Sequence, residues 1–131
     1  MVYIDSSVLL AHLLDEQRQP PASLWRESLV TSRLTHFETW VCLHARGLGA
    51  SHAEAAREIL ARIGVVELHP LATQRALEPL PTVVRTLDAL HLSAIEYLRG
   101  QRQVVQLATY DTRLAAAATA LGIPLAFPPN A

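Results

Sequence analysis

Short β-rich runs set between segments of helical apolar spacing constrain this chain more than any other feature. The runs are Val2-Tyr-Ile4, Leu29-Val-Thr31, Val65-Val-Glu-Leu68, Val104-Val-Gln-Leu-Ala108 and a last edge strand, Pro124-Leu-Ala-Phe127. Helical spacing fills Ser7 to Asp15, a short piece from Pro20-Pro21 through Leu29, and Ser32 to Arg46, where Leu34, Phe37, Val41 and Ala45 recur. Further helices are expected from Ser51 to Arg62, from Pro70 to Glu78, and from Thr86, read as a cap, to Gly100 as the closing residue. The last runs from Asp111 to Leu121, with Gly122 ending it. Strands alternating with helices over short connections make an α/β domain with a mostly parallel sheet of four to five strands.

At 131 residues the chain fits one domain, residues 1–131, large enough for a real core. Eleven Arg, no Lys and twelve acids give a net charge of −1, which excludes a basic domain that coats nucleic acid. A single cysteine, Cys42, excludes a disulfide framework and points to a reducing cytoplasm. The start, Met1-Val-Tyr-Ile-Asp5, lacks the features of a signal peptide, and no apolar run is long enough to span a bilayer.

The acids are more informative than their total. Of four aspartates, Asp5, Asp88 and Asp111 each fall at the edge of an apolar element. In open α/β sheets, ligands bind in the crevice outside the carboxyl ends of the strands. Asp5 ends the first strand and Asp111 follows the fourth, so both belong there. Taken alone, Asp5 is equally a helix N-cap or a metal ligand with Ser6 as a neighbouring hydroxyl; Asp111 also reads as an N-cap, and Asp88 as an acid suited to a helix dipole. Glu38 falls on the stripe of Leu34, Val41 and Ala45, so its helix is expected to turn it inward. The alternative is a boundary residue that reaches solvent. Carboxylates brought together raise one another's pKa, and a hard divalent cation removes that penalty. An oxygen-only set suits Mg²⁺ or Mn²⁺, and the chemistry that fits is phosphodiester hydrolysis.

Tyr3-Ile-Asp5-Ser-Ser7, Glu38 in a helix, Leu87-Asp88-Ala-Leu-His-Leu92 and Thr109-Tyr-Asp111-Thr-Arg-Leu114 resemble, in order, the four acidic motifs of PIN-domain ribonucleases. More narrowly they resemble the VapC toxins of bacterial type II toxin–antitoxin systems. The resemblance implies a three-layer α/β/α sandwich, Mg²⁺- or Mn²⁺-dependent endoribonuclease activity and homodimerisation. It also implies neutralisation by a small cognate antitoxin of the VapB kind. Carried over, Asp5, Glu38, Asp88 and Asp111 are the catalytic and metal-binding quartet. Ser6 keeps the hydroxyl of a Thr found in many members, and Thr109 matches a supporting hydroxyl two residues before the last Asp. Some relatives carry a further acid just after that Asp; here Thr112, Arg113 and Leu114 follow. The RNA substrates of such proteins are tRNA or ribosomal RNA.

With no net positive charge, phosphate contact is expected from local arginines, and Arg33 and Arg113 lie nearest the motifs. Cys42-x-His44 lacks the second ligand pair a structural zinc wants. His91, one turn after Asp88, reads as a packed histidine or as support for that acid. Trp25 and Trp40 read as core or interface anchors. The absence of Lys excludes a phosphate-receiver domain, Asp5-Ser-Ser7 lacks the Asp-x-Asp of haloacid-dehalogenase phosphatases, and no Gly-x-Ser-x-Gly is present. The remaining rival is a catalytically silent PIN-like module that serves as a protein-binding scaffold.

Overall fold

The computed structural model describes residues 1–130. Its elements run β1 (Val2–Ile4), α1 (Ser6–Leu13), β2 (Leu29–Ser32), α2 (Arg33–Ala45), α3 (Ala53–Ala61), β3 (Gly64–Val66), α4 (Pro70–Thr73), α5 (Thr86–Gly100), β4 (Gln106–Ala108) and α6 (Thr112–Ala120). The strands form one sheet in the order β3-β2-β1-β4, and every pair is parallel.

Alternation along the strands splits the core into two. Tyr3 and Leu107 face a cluster with Leu92 and Ile95 of α5 and Leu114, Ala117 and Ala118 of α6. Val2, Ile4 and Ala108 face the opposite cluster, with Val8 and Leu9 of α1 and Ile59 and Leu60 of α3. Helices therefore cover both faces, giving the three-layer α/β/α sandwich. From β1 the chain adds β2 and β3 on one side, then returns to place β4 on the other. The strand order thus reverses between β1 and β4, and the residues leaving those two strands share one crevice. Asp5 leaves the first and Thr109 to Asp111 leave the second.

Several local expectations are corrected. Pro124 to Phe127 is no strand: it makes one parallel bridge, Leu107 to Leu125, and its Pro124 has no N–H to extend a ladder. The sheet therefore has four strands. The segment after Pro20-Pro21 closes only a 3₁₀ turn, Ala22–Arg26, and the one expected from Pro70 to Glu78 divides into α4 and a 3₁₀ turn at Gln74–Leu77. Thr86 is the first residue of α5, not its cap; Arg85 stands at the N-cap, and its backbone favours the charged form of Asp88 in the first turn. Gly100 still belongs to α5, and the left-handed residue that ends the turn is Arg102, at φ 66°.

The largest correction is to α2. Phe37 and Val41 are 58% and 67% exposed, whereas Leu34, Thr35, Thr39 and Leu43 form the buried face. The inward face of this helix is half hydroxyl, so apolar spacing pointed to the wrong side. Glu38 consequently sits at the boundary of the buried face.

Candidate active site

Asp5 caps α1, its Oδ1 accepting the Val8 N–H at 3.3 Å. Ser7 Oγ donates to the same oxygen at 2.6 Å, and Thr109 Oγ1 donates to Oδ2 at 2.5 Å. The residue is only 4% exposed. Loss of solvent pushes its carboxyl above the usual range, against the hydrogen bonds from Ser7 and Thr109 and the field of His91. The N-cap reading of Asp5 holds, and the same placement buries its carboxylate. Ser7, which the sequence did not single out, is the serine that holds it. Ser6 makes no bond to Asp5 among the described residues. Ser7 Oγ also accepts the Tyr110 N–H at 2.9 Å, and Thr109 Oγ1 accepts the Asp111 N–H at 2.9 Å. These hydroxyls tie the end of β1 to the start of α6.

Above this floor lies an open cleft of about 210 Å³ lined by Glu38, Arg85, Leu87, Asp88, Asp111 and Arg113. Asp111 caps α6, its Oδ1 accepting the Arg113 and Leu114 N–H groups at 2.9 and 3.2 Å. Burial pushes the Asp88 carboxyl up, and the Asp111 charge adds to that; the Arg85 backbone, His91 and Arg113 oppose it. Glu38 joins from α2, its Oε1 2.7 Å from His91 Nε2. Three acids thus share the cleft; Asp5 is buried, does not line it, and is linked to Asp111 through Thr109. Among the described residues, no three His, Cys, Asp or Glu side chains are gathered closely enough to hold a metal ion as they stand. Glu38, Asp88 and Asp111 are oxygen donors of the kind a hard cation takes, spread around the open cleft.

The model of the PIN domain family matches residues 2–120. This chain belongs to the PIN-domain family. Ribonuclease VapC35 of Mycobacterium tuberculosis is 26% identical over 136 aligned positions, covering 100% of this chain and 99% of that protein. Ribonuclease VapC46 of the same organism is 30% identical, covering 97% of each. Ribonuclease VapC47 is 28% identical, covering 98% of this chain and 97% of its own length. The similarity is therefore end to end.

In this PIN domain the two expected arginines separate. Arg113 lines the cleft, as its place after Asp111 suggested. Arg33 does not. It is paired with Glu67 through Nε at 3.0 Å and through Nη2, and its Nη1 lies 3.4 Å from His36 Nδ1. That partner holds the Arg33 guanidinium above, and the Glu67 carboxyl below, their ordinary pKa values. Arg33 is the last residue before the buried turn of α2, and only the fold shows that β3 delivers a carboxylate to it.

Arg85 lines the cleft instead. The sequence did not single it out: with Thr86 read as the cap, Arg85 stood outside the helix, and only the N-cap position found in the structure brings it beside Asp88. His91 was weighed as support for Asp88, one turn away, yet its direct partner is Glu38 from another helix. Cys42 is half-buried and lies outside the cleft lining. No helix among the described residues is long and apolar enough to cross a membrane.

Proposed function

We propose that this PIN domain, residues 1–131, is a Mg²⁺- or Mn²⁺-dependent endoribonuclease and the toxin of a bacterial type II toxin–antitoxin pair. The ribonuclease names of its end-to-end relatives support the activity. The observation that carries the metal is geometric: Glu38, Asp88 and Asp111 line one open cleft, where burial and then the Asp111 charge push the Asp88 carboxyl up. A hard cation held by Asp5, Asp88 and Asp111, with Glu38 completing the set, relieves that repulsion and the burial penalty on Asp5. When bound, such an ion polarises the phosphodiester and activates an attacking water.

The chain's own groups supply the rest. Arg85 and Arg113 face the cleft and grip phosphate oxygens of the RNA backbone, which positions the strand without reading its sequence. Asp111, fixed by two backbone N–H groups at the start of α6, presents its remaining oxygen at a set position. Thr109 and Ser7 keep Asp5 aligned under the cleft, and Leu87 narrows the rim.

As a toxin, the protein acts in the cytoplasm on tRNA or ribosomal RNA, forms a homodimer, and is silenced by a small antitoxin that covers the acidic cleft. The exposed Phe37 and Val41 on α2 offer apolar surface for protein contacts of this kind. Expression of the chain without an antitoxin in a bacterium is expected to arrest growth and to leave new RNA 5′ ends at defined sites. Asp88→Asn is expected to abolish both. Growth arrest that persists with Asp88→Asn, or an RNA pool with no new ends, would return the protein to the silent-module reading.

A further inference from the structure

His91 stands at the centre of a buried hydrogen-bonded chain that the acidic motifs do not account for. The residue is 3% exposed. Its Nε2 lies 2.7 Å from Glu38 Oε1, and its Nδ1 lies 2.7 Å from the Tyr3 hydroxyl. The two rings meet edge to face, with centroids 5.8 Å apart. The Tyr3 hydroxyl also lies 2.9 Å from Ser32 Oγ, which supplies the hydrogen of that contact when Tyr3 gives its own to His91. These four side chains come from α5, α2, β1 and the end of β2. Three of those elements carry or precede an acid of the cleft: β1 leads to Asp5, α2 carries Glu38 and α5 carries Asp88.

Tyr3 meets only Nδ1, so a ring this deeply buried needs a second partner for Nε2. That partner is a carboxylate on the cleft wall. An ionised carboxylate only accepts, so the nitrogen facing Glu38 carries the hydrogen, whichever way the hydroxyl protons run. The contact fixes one Glu38 oxygen, and the other takes no hydrogen bond among the described residues. Glutamate has three rotatable side-chain bonds, and at the edge of α2 no other hydrogen bond among the described residues orders this one.

We propose that His91, anchored by Tyr3 and Ser32, is the positioning residue that holds Glu38 at the cleft. It thereby sets the geometry in which the carboxylates take a divalent cation. The proposal rests on the cation-dependent reading of the cleft. It adds that Glu38 has a fixed place there, with the packed floor of the sheet as its support.

Mn²⁺ binding, followed by loss of the free-ion electron paramagnetic resonance signal, tests this without relying on cleavage. His91→Ala is expected to weaken Mn²⁺ binding about tenfold or more, in the range found when groups that orient metal ligands are removed. His91→Gln, which keeps an N–H near the Nε2 position, is expected to recover most of that loss. Tyr3→Phe keeps the ring and removes only the anchor, so it serves if His91→Ala fails to fold; a loss of about threefold or more is expected from the same cause. In a Glu38→Gln background, Tyr3→Phe should add nothing. Unchanged Mn²⁺ affinity in folded Tyr3→Phe, or an equal loss with and without Glu38, overturns the proposal. So does a wild-type chain that binds no Mn²⁺. RNA cleavage measured on the same samples separates the two ideas: the expected pattern of Mn²⁺ binding without any cleavage defeats the ribonuclease reading and leaves His91 in its role.

Discussion

The floor and the rim of the cleft are built on opposite terms. On the floor, the polar groups around Asp5 are partnered: Asp5 takes Ser7, Thr109 and the Val8 N–H, and Thr109 itself receives the Asp111 N–H. On the rim, Asp88 and Asp111 repel each other, and Arg85 and Arg113 point into the same space without an ion pair among the described residues. Satisfied groups hold elements together; unsatisfied charge on an open surface waits for something from outside. The floor therefore reads as the device that positions the site, and the rim as the part that meets ion and RNA.

Substitutions on the two levels should separate stability from activity. Asp88→Asn is expected to give the largest effect, a fall in kcat for RNA of at least about 10²–10³-fold, because it loosens the cation that stabilises the developing charge. Its melting temperature should hold or rise, because the repulsion with Asp111 is gone; a parallel loss of stability would blur the comparison. Thr109→Val should do the reverse. It keeps the shape but leaves Asp5 Oδ2 and the Asp111 N–H unpaired, so urea denaturation should show a loss of about 1–3 kcal/mol. A neutral Thr109→Val would break the account of the floor.

Smaller effects sharpen the rim. Arg85→Ala and Arg113→Ala are each expected to raise KM for RNA about tenfold, or about 1.4 kcal/mol, the order of one charge-assisted contact. Arg33→Ala should leave KM within about twofold, since its partner is Glu67 at the surface and such pairs contribute little. Equal effects from Arg33 and Arg85 would place the RNA path elsewhere.

The slightest effect is in pH dependence. Asp5 and Asp88 both have raised carboxyl pKa values in the folded protein. The metal-free native state therefore holds more protons than the unfolded chain above the ordinary carboxylate value of about 4. Their contribution is full below that value and is lost as pH rises through the raised ones, the reverse of a salt-bridged acid. Thermal melts in EDTA should show stability falling across this window, less steeply in Asp88→Asn. Added Mn²⁺ should remove the fall.

The order of strands and helices, and the places of Asp5, Asp88 and Asp111, were legible because each depends on local pattern: a short β-rich run, then an acid where a helix begins. What was not legible depends on neighbours distant in sequence. Ser6 and Ser7 are indistinguishable in the sequence, and only the return of β4 beside β1 decides that Ser7 meets Tyr110 and Asp5. Arg33 looks free until β3 brings Glu67 beside it. In α2 the apolar residues misled, because Thr35 and Thr39 take the buried face and leave Phe37 and Val41 outside. Glu38 was placed inward for that wrong reason, and its position is instead explained by His91.

The central claim is that this cleft cleaves RNA only with a divalent cation in place. Titrating Mn²⁺ into purified, EDTA-stripped protein with RNA tests it most directly. The account predicts no cleavage in EDTA and a saturable rise with Mn²⁺ that Asp88→Asn abolishes. Cleavage at full rate in EDTA, or a Mn²⁺ response unchanged in Asp88→Asn, would contradict it.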